Sequence, residues 1–275
     1  MNTSTKQLAS DLVNEIRKQQ SVVVAFSGGV DSAVVAAAAY LALPNHSIAI
    51  TGVGSAIPES DLHSARSIAK SIGIQHKELP TQEILNEDYV RNDARRCYFC
   101  KSTLYGTLRA WAVANHYQCL MSGTNQDDLG DYRPGLQAAS EYSVEAPLVK
   151  LAITKQHVRE LATYFQLSVA DKPASPCLAS RIAYGQSVTS ERLRSIELAE
   201  LFLAALGFRD VRVRLHADGL VRLELGLEDL HLACEAVART AISDRMQQLG
   251  FKFVTLDLMG RQSGSLNRAL PIITL

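Results

Sequence analysis

The chain has 275 residues, and its 28 basic and 28 acidic side chains give a formal net charge of zero at neutral pH. Apolar residues make up 47% and charged residues 20%, a balance that is typical of a folded globular protein and excludes a disordered chain. Because the charges cancel, we expect no general affinity for nucleic acid or for anionic membranes, and any anionic ligand must be held by a local cluster. The length predicts one large domain or two smaller ones.

The location of the protein is predicted from its termini and its cysteines. No apolar run is long enough to span a bilayer, and residues 1–20 form a predicted amphipathic helix without the apolar centre of a secretory signal. The five cysteines are an odd number in a chain with no export signal, which indicates a reducing compartment rather than a disulfide framework. We therefore expect a cytoplasmic protein with no membrane partner.

Residues 21–123 alternate short apolar runs with helix-like stretches. The first run, "SVVVAF", is rich in valine and stops at a Gly-Gly pair, which is typical of a strand buried on both faces. Such alternation with short connections predicts an α/β fold on an open, mostly parallel sheet. The predicted strands are 21–26, 47–53, 76–80 and 117–123, and the predicted helices are 31–43, 58–71 and 98–115.

The second half of the chain has a different pattern. We predict that the polar segment 124–145 is a long functional loop. Beyond it, the pattern predicts a smaller α+β domain, so the expected domains are 1–146 and 147–275. Thr189 or Ser190 is the expected N-cap of one helix. The predicted helices of this half are 154–166, 189–206 and 228–249, and the predicted strands are 211–216, 220–225 and 251–258.

The motif "AFSGGVDS" (25–32) follows the first strand. Its two glycines permit a tight turn, and the helix that follows directs its positive end at the same point, so the loop is suited to bind an anion. It lacks the Gly-Lys-Ser/Thr of kinase P-loops and the Gly-x-Gly-x-x-Gly of dinucleotide sites. Ligands of parallel sheets bind at the carboxyl ends of the strands, which places the motif beside residues 51–56 and 122–128.

The motif resembles the PP-loop of the N-type ATP pyrophosphatases, which have an adenine nucleotide α-hydrolase-like fold. Enzymes of that group transfer AMP from ATP to a substrate oxygen and release pyrophosphate. The resemblance implies that Asp31 lies near a Mg²⁺ ion. It also implies that the pyrophosphate of ATP is bound by Ser27, Gly28, Gly29, Val30 and Ser32.

Cys97 and Cys100 form a Cys-x-x-Cys motif. Such a motif is typical of a redox dithiol, of half a zinc site or of part of an iron–sulfur site. A thioredoxin-type dithiol is disfavoured because the first strand already leads into the phosphate loop, and a structural zinc site is disfavoured because no second ligand pair follows; His116 and His157 are isolated. The motif alone does not decide among the three kinds of site, and an iron–sulfur site would need further ligands elsewhere in the chain.

The other three cysteines have contrasting surroundings. Cys119 and Cys234 lie in apolar stretches and are expected to be small buried hydrophobic residues. Cys177 lies in the Pro- and Ser-rich segment "PASPCLASR", four residues before Arg181, where a thiolate is expected to be exposed and stabilised.

The combination of motifs resembles the LarE family along nearly the whole chain. The matching segments are the PP-loop, "DYRPG" (131–135), the residues Ser180, Arg181, Tyr184 and Gly185 around Cys177, "GF…VRVR-x-H" (207–216) and "FVTLDL-x-G…SGS-x-N" (253–267). Members of this family are ATP-dependent sulfur transferases that convert carboxylates of pyridinium-3,5-biscarboxylic acid mononucleotide into thiocarboxylates. Their product is the nickel-pincer cofactor of lactate racemase.

The resemblance implies an essential role for Cys177. Some members have only this cysteine, give up its sulfur and end with dehydroalanine. Others have all three cysteines and hold a [4Fe–4S] cluster, as implied here for Cys97, Cys100 and Cys177. Three thiolates leave one iron without a protein ligand, which permits it to hold a sulfide. The sulfide source is left open.

The acceptor has two carboxylates and a phosphate, so a cationic pocket is expected. Arg212 and Arg214 are two apart on a strand and match phosphate-binding arginines of the family; Arg181 is a further candidate. Arg133 is expected on the ATP side or at an interface. The resemblance implies Mg²⁺ ligands at Asp31 and Glu200. A further family aspartate falls near residue 232, where this chain has Leu232 with Glu228, Asp229 and His231 close by, so this third ligand is not assigned. Separate candidates to approach Mg²⁺ are Asp127, Asp128 and Asp131.

Three alternatives remain beside a cluster-dependent sulfur transferase. They are sacrificial sulfur donation from Cys177, a PP-loop enzyme that thiolates tRNA, and an ATP-binding sensor without catalysis. The neutral charge balance disfavours a nucleic-acid partner. The family precedent implies a homo-oligomer.

Overall fold

A computed structural model describes residues 3–130, 134–172, 175–262 and 264–266. The strands are β1 (Val22–Ala25), β2 (Ser47–Val53), β3 (Gln75–Pro80), β4 (Cys119–Met121), β5 (Arg212–Leu215), β6 (Leu220–Glu224) and β7 (Phe253–Leu256). The helices are α1 (Thr3–Arg17), α2 (Val30–Ala42), α3 (Glu59–Ile72), α4 (Glu87–Val90), α5 (Arg96–Ala114), α6 (Pro134–Glu141), α7 (Pro147–Lys150), α8 (Lys155–Tyr164), α9 (Ser190–Ala205), α10 (Leu230–Cys234) and α11 (Ala236–Gln248).

The first of two compact units comprises Met1–Glu83 and Cys97–Ser175. In its described part, the strands pair in the order β3-β2-β1-β4, and every pairing is parallel. Val22 and Val24 of β1 pack into a core with α1, α2 and α8, whereas Val23 packs into a second core with α5. The sheet is therefore buried on both faces, and the predicted α/β fold with a parallel sheet is confirmed.

The second unit comprises Ile84–Arg96 and Pro176–Leu275. These bounds differ from the predicted domains 1–146 and 147–275. The physical reason is burial, because Leu148, Ile153 and Leu161 are completely buried in the core of the first unit together with α1 and α2. The apolar face of α8 thus belongs to the parallel sheet, although the sequence pattern changes before it.

The described part of the second unit contains a sheet in the order β5-β6-β7, in which β5 and β6 are antiparallel and β6 and β7 are parallel. Helix α9 packs on β5 and begins after Thr189, whose Oγ1 accepts a hydrogen bond from Arg192 N at 3.3 Å. Of the two residues predicted as N-cap, Thr189 has this role, and Ser190 is the first residue of the helix.

Two predictions of local structure are wrong. The expected helix 228–249 is divided at Glu235, which has extended backbone angles (φ −60°, ψ 143°) and separates α10 from α11. No glycine or proline marks this division, so the sequence carries no signal for it. The expected loop 124–145 contains helix α6. Among the helices of the described residues, none is long and apolar enough to cross a membrane.

Candidate functional site

The backbone conformation of the phosphate loop, and its close contact with neighbouring elements, depend on glycine residues. Gly28 has φ +69°, and a Cβ atom at this position would lie 2.9 Å from the Cα atom of Ala65 in α3. Gly123, after β4, lies so close to the first turn of α2 that a Cβ atom would be 2.6 Å from Ser32 N. Both positions therefore require glycine, because the backbones of neighbouring elements leave no room for a side chain.

The two serines of the loop are hydrogen-bonded to each other and to the loop backbone. Ser32 Oγ donates to Gly29 O at 3.0 Å, and the hydroxyl oxygens of Ser27 and Ser32 are 3.2 Å apart. Ser27 Oγ also accepts from Gly29 N at 3.3 Å. These contacts fix the turn between β1 and α2, so that backbone N–H groups at the start of α2 are gathered where an anion is favoured.

Asp31, in the first turn of α2, contacts residues far away in sequence. Its Oδ1 accepts from Asn125 Nδ2 at 2.9 Å, and its Oδ2 lies 2.5 Å from Lys155 Nζ. Asn125 is almost completely buried, and its Oδ1 accepts from Asp127 N at 2.9 Å. A carboxylate, a buried amide and an ammonium group therefore meet at the carboxyl edge of the sheet.

Lys155 is a site residue that the sequence analysis missed. It is the first residue of α8, and its backbone N donates to Asp127 Oδ2 at 2.7 Å. A cation at a helix N-terminus opposes the helix dipole, so a lysine there is unfavourable unless an anion lies nearby. The unfavourable position of Lys155 in the predicted helix was therefore a sequence signal for a nearby anion. In the structure, the carboxylates of Asp31 and Asp127 are these anions.

Glu83 was also missed by the sequence analysis. It is buried, and its carboxylate packs against Gly54, where a Cβ atom would lie 1.9 Å from Oε1. Its Oε2 has no hydrogen-bond partner among the described residues. A buried carboxylate oxygen without a partner is costly, so Glu83 is a candidate for contact with a bound ligand.

The cysteines of the first unit differ in exposure. Cys97 and Cys100 are the second and fifth residues of α5, and their i,i+3 spacing places them on one helix face; Cys97 is exposed and Cys100 is partly exposed. Cys119 is buried, and burial raises the pKa of its thiol to about 11, as expected for an unreactive residue.

In the second unit Cys234 is exposed, so the prediction that it is buried is wrong. Its place at the last turn of α10, just before the break at Glu235, explains the exposure.

Cys177 is partly exposed and directly precedes a 3-10 turn, Leu178–Arg181. Arg181 donates to the carbonyl oxygen of Cys177 at 3.0 Å and forms an ion pair with Glu200, with Nε 3.0 Å from Oε1. Arg214 forms a buried ion pair with Glu224. Two of the three predicted phosphate-binding arginines therefore have carboxylate partners in this structure.

Arg212 differs from these two arginines. It is partly buried, and its Nη1 donates to the neighbouring carbonyl oxygen of Val211 at 2.7 Å. Burial first, and then the like charge of Arg181, lower the pKa of Arg212. No carboxylate within the described residues forms an ion pair with Arg212. A partly desolvated guanidinium in this state is suited to bind an anion.

The donor sets fit the implied metal groups to different degrees. Oxygen donors at Asp31, Asp127 and Asp128 have the chemistry that Mg²⁺ prefers. Glu200 is less available, because Arg181 and the backbone N of Val213 donate to its carboxylate. The thiols of Cys97, Cys100 and Cys177 are outside any disulfide and have the chemistry of cluster ligands. Within the described part of either unit, no group of three His, Cys, Asp or Glu side chains is placed to hold a metal ion. Arg133 and Asp131 lie outside the described residues.

Comparisons with known proteins show to which family the chain belongs. A family model described as NAD synthase, a PP-loop family, matches residues 2–128. The pyridinium-3,5-bisthiocarboxylic acid mononucleotide synthase of Lactiplantibacillus plantarum is 33% identical over 261 residues, which cover 94% of this chain and 93% of that protein. The chain belongs to the LarE family.

Other relatives have less informative names or shorter alignments. An uncharacterised protein of Synechocystis sp. is 44% identical over 248 residues, covering 90% of this chain and 92% of that protein. A tRNA-specific 2-thiouridylase of Hyphomonas neptunium is 31% identical over 212 residues, which cover 63% of this chain and 53% of that enzyme. LarE membership and the PP-loop type of the first unit are thus established, whereas the roles of individual residues stay predictions.

Proposed function

We propose that this LarE protein is an ATP-dependent sulfur transferase that acts on pyridinium-3,5-biscarboxylic acid mononucleotide for nickel-pincer cofactor synthesis. The observation that carries the proposal is the alignment with the Lactiplantibacillus plantarum synthase along 94% of the chain. The geometry around Asp31 supports it, because a phosphate loop, a helix N-terminus and Lys155 favour bound pyrophosphate at one place.

The first half-reaction is the activation of a carboxylate. A carboxylate oxygen of the substrate attacks the α-phosphorus of ATP, and the bond to pyrophosphate breaks. The residues from Ser27 to Ser32 hold the departing pyrophosphate, and Lys155 neutralises the negative charge that develops. Asp31 would hold a Mg²⁺ ion, which would supply further charge neutralisation when bound. The products of this step are pyrophosphate and an acyl-adenylate.

The second half-reaction replaces AMP by sulfur. When a [4Fe–4S] cluster is bound by Cys97, Cys100 and Cys177, it supplies a sulfide for this step. In the sacrificial alternative, the thiolate of Cys177 attacks the carbonyl carbon and AMP leaves. Loss of the Cys177 α-proton and cleavage of its Cβ–S bond then give the thiocarboxylate and dehydroalanine. Arg212 binds the phosphate of the acceptor in both routes.

The test is anaerobic turnover with ATP and the biscarboxylic acid mononucleotide. We expect equal amounts of pyrophosphate and AMP, and a mass increase of the substrate that corresponds to replacing oxygen by sulfur. The proposal fails if pyrophosphate is released without any thiocarboxylate. An intact-protein mass after one turnover separates the two routes, because only the sacrificial route removes the elements of hydrogen sulfide from Cys177.

A second candidate is tRNA thiolation, which the similarity to the tRNA-specific 2-thiouridylase of Hyphomonas neptunium favours. The formal net charge of zero weighs against it, because tRNA partners usually require a basic surface. Incubation with ATP and unmodified tRNA, followed by nucleoside analysis for thiolated uridine, distinguishes the two candidates.

A further inference from the structure

The turn that carries Cys177 is held through its backbone by buried arginines. Arg96 Nη1 donates to Ala179 O at 2.9 Å, and Arg214 Nη1 donates to Ser180 O at 3.0 Å. Arg181 contributes from within the turn, where its Nη1 donates to Cys177 O at 3.0 Å and also to Pro176 O. Charge-assisted hydrogen bonds of this kind are about twice as strong as neutral ones.

Each of these arginines also forms a hydrogen bond or an ion pair with a side chain outside the turn. Arg181 forms two hydrogen bonds with Glu200 of α9, and Arg214 forms two contacts with Glu224 of β6. Arg96 donates to Asn92 Oδ1. All three arginines are less than 8% exposed, so these contacts are shielded from solvent. The turn is therefore fastened to a helix, to a strand and to the segment before α5.

The partners are themselves held in place. Glu224 is completely buried, and it also accepts from Ser265 Oγ and forms an ion pair with Arg222 at 3.2 Å. Asn92 donates through Nδ2 to the carbonyl oxygens of Ala183 and Gln186 at 2.9 and 2.8 Å. Removing one member of such a network leaves buried polar groups without partners, so the network has few alternative arrangements.

We propose that Arg96, Arg181 and Arg214 are positioning residues that fix the backbone on which the Cys177 sulfur is carried. The proposal rests on sulfur transfer at Cys177. Arg214 directs Nε and Nη2 at Glu224 and Nη1 at Ser180 O, so its donor-bearing nitrogens are all engaged. Arg212 has no such carboxylate partner within the described residues.

A fixed sulfur position has a direct consequence for rate. Reacting atoms must approach to about 3–3.5 Å in a suitable direction, and a misplacement of about 1 Å can lower a rate about a hundredfold. Loosening the turn therefore lowers kcat for sulfur transfer, whereas loss of an anion ligand raises KM for the phosphorylated acceptor. This difference separates Arg214 from Arg212, although the two lie two residues apart on the same strand.

The kinetic test compares Arg214→Lys with Arg212→Lys, using the mononucleotide and the corresponding nucleoside without its phosphate. Lysine cannot reproduce the forked geometry of arginine. We expect Arg214→Lys to lower kcat about tenfold or more with both acceptors and to leave KM nearly unchanged. We expect Arg212→Lys to raise KM about tenfold with the mononucleotide and to have no effect with the nucleoside. The proposal is overturned if Arg214→Lys raises KM and its effect disappears with the nucleoside.

A second measurement does not depend on turnover. Ser180 N and Ile182 N donate within the turn to Cys177 O and Ala179 O, so hydrogen exchange of the full chain reports on its rigidity. We expect faster exchange of these amides in Arg214→Lys and in the milder Ser180→Ala, which removes the 2.8 Å bond from Ser180 Oγ to Cys177 O. Arg212→Lys is the matched control and leaves the exchange unchanged. Unchanged exchange in both test variants overturns the proposal, even if the enzyme transfers no sulfur at all.

Discussion

Lys155 Nζ lies 2.5 Å from Asp31 Oδ2, so a lysine at the start of α8 neutralises the aspartate in the first turn of the phosphate-loop helix. The two residues are 124 positions apart in sequence. Both side chains are partly exposed, so the pair contributes little to stability.

Replacing Lys155 tests whether this ammonium group serves the phosphate site. We expect Lys155→Gln to lower kcat/KM for ATP at least about tenfold, because a positive charge near the departing pyrophosphate is lost. The free energy of unfolding should change by less than about 1 kcal/mol. The measurement is pyrophosphate release beside urea unfolding. Lys150→Gln is the control, because Lys150 also forms carboxylate ion pairs but its partners are Glu15 and Glu145. Equal ATP kinetics in the two variants would contradict the role of Lys155.

Alanine substitutions at two glycines, one in the phosphate loop and one elsewhere, separate the energetic cost of backbone strain from the cost of steric overlap. Gly185 has φ +79° with no atom near its potential Cβ position, whereas Gly28 has φ +69° and Ala65 in the way. Gly185→Ala should cost about 1 kcal/mol of unfolding free energy, and Gly28→Ala about 2 to 4 kcal/mol. Denaturant unfolding measures both, with a probe in the unit that carries each change. A similar cost at both positions would show that the approach of α3 does not restrict the loop.

His76 predicts a pH dependence of the first unit. Burial lowers the pKa of its imidazole, while Glu78 raises it and Arg66 lowers it to a smaller extent. The unfolded chain therefore takes up a proton near pH 6.5, before the folded chain does. Stability from His76 is present above pH 6.5 and is lost as the pH falls toward the lower folded pKa.

His76→Gln should accordingly flatten the fall in melting temperature between about pH 6.5 and pH 5. A hydrogen bond joins His76 Nε2 to Thr51 Oγ1 at 2.8 Å, and Thr51 Oγ1 donates to Phe26 O beside the phosphate loop. His46→Gln, at an exposed position, is the control and should retain the wild-type profile. An unchanged profile in His76→Gln would assign the acid sensitivity to other groups.

The cysteines predict a pattern of iron content and activity. Anaerobic reconstitution of the wild type should give about four iron atoms per chain, and replacement of Cys97, Cys100 or Cys177 by serine should lower both iron and repeated turnover. Cys234→Ser is the matched control, because Cys234 is also exposed but lies in α10. Iron content that is independent of Cys97 and Cys100 would remove the proposed cluster. A single sulfur transferred per chain in the wild type would instead favour the sacrificial route.

Local sequence patterns were sufficient for most of the fold. The β-branched run of β1, the Gly-Gly pair after it and the alternation with helices predicted the parallel sheet, because burial on both faces requires a continuous apolar strand. An N-cap at Thr189 or Ser190 was predicted for a similarly local reason, and it is the Thr189 hydroxyl oxygen that accepts from a backbone N–H three residues later. The break at Glu235 was missed because neither glycine nor proline marks it.

The chain by itself determined the type of fold, the position of the PP-loop motif and the available cysteine sulfur atoms. These features depend on residues close together in sequence, whose spacing matches the repeat of a helix or a strand. Only the tertiary structure decided that Lys155 meets Asp31 and that Arg96, Arg181 and Arg214 converge on the turn of Cys177. The reason is that contacts between distant residues depend on how elements pack. The sequence spacing of Arg212 and Arg214 suggested one shared role, whereas burial and the position of Glu224 give them different partners.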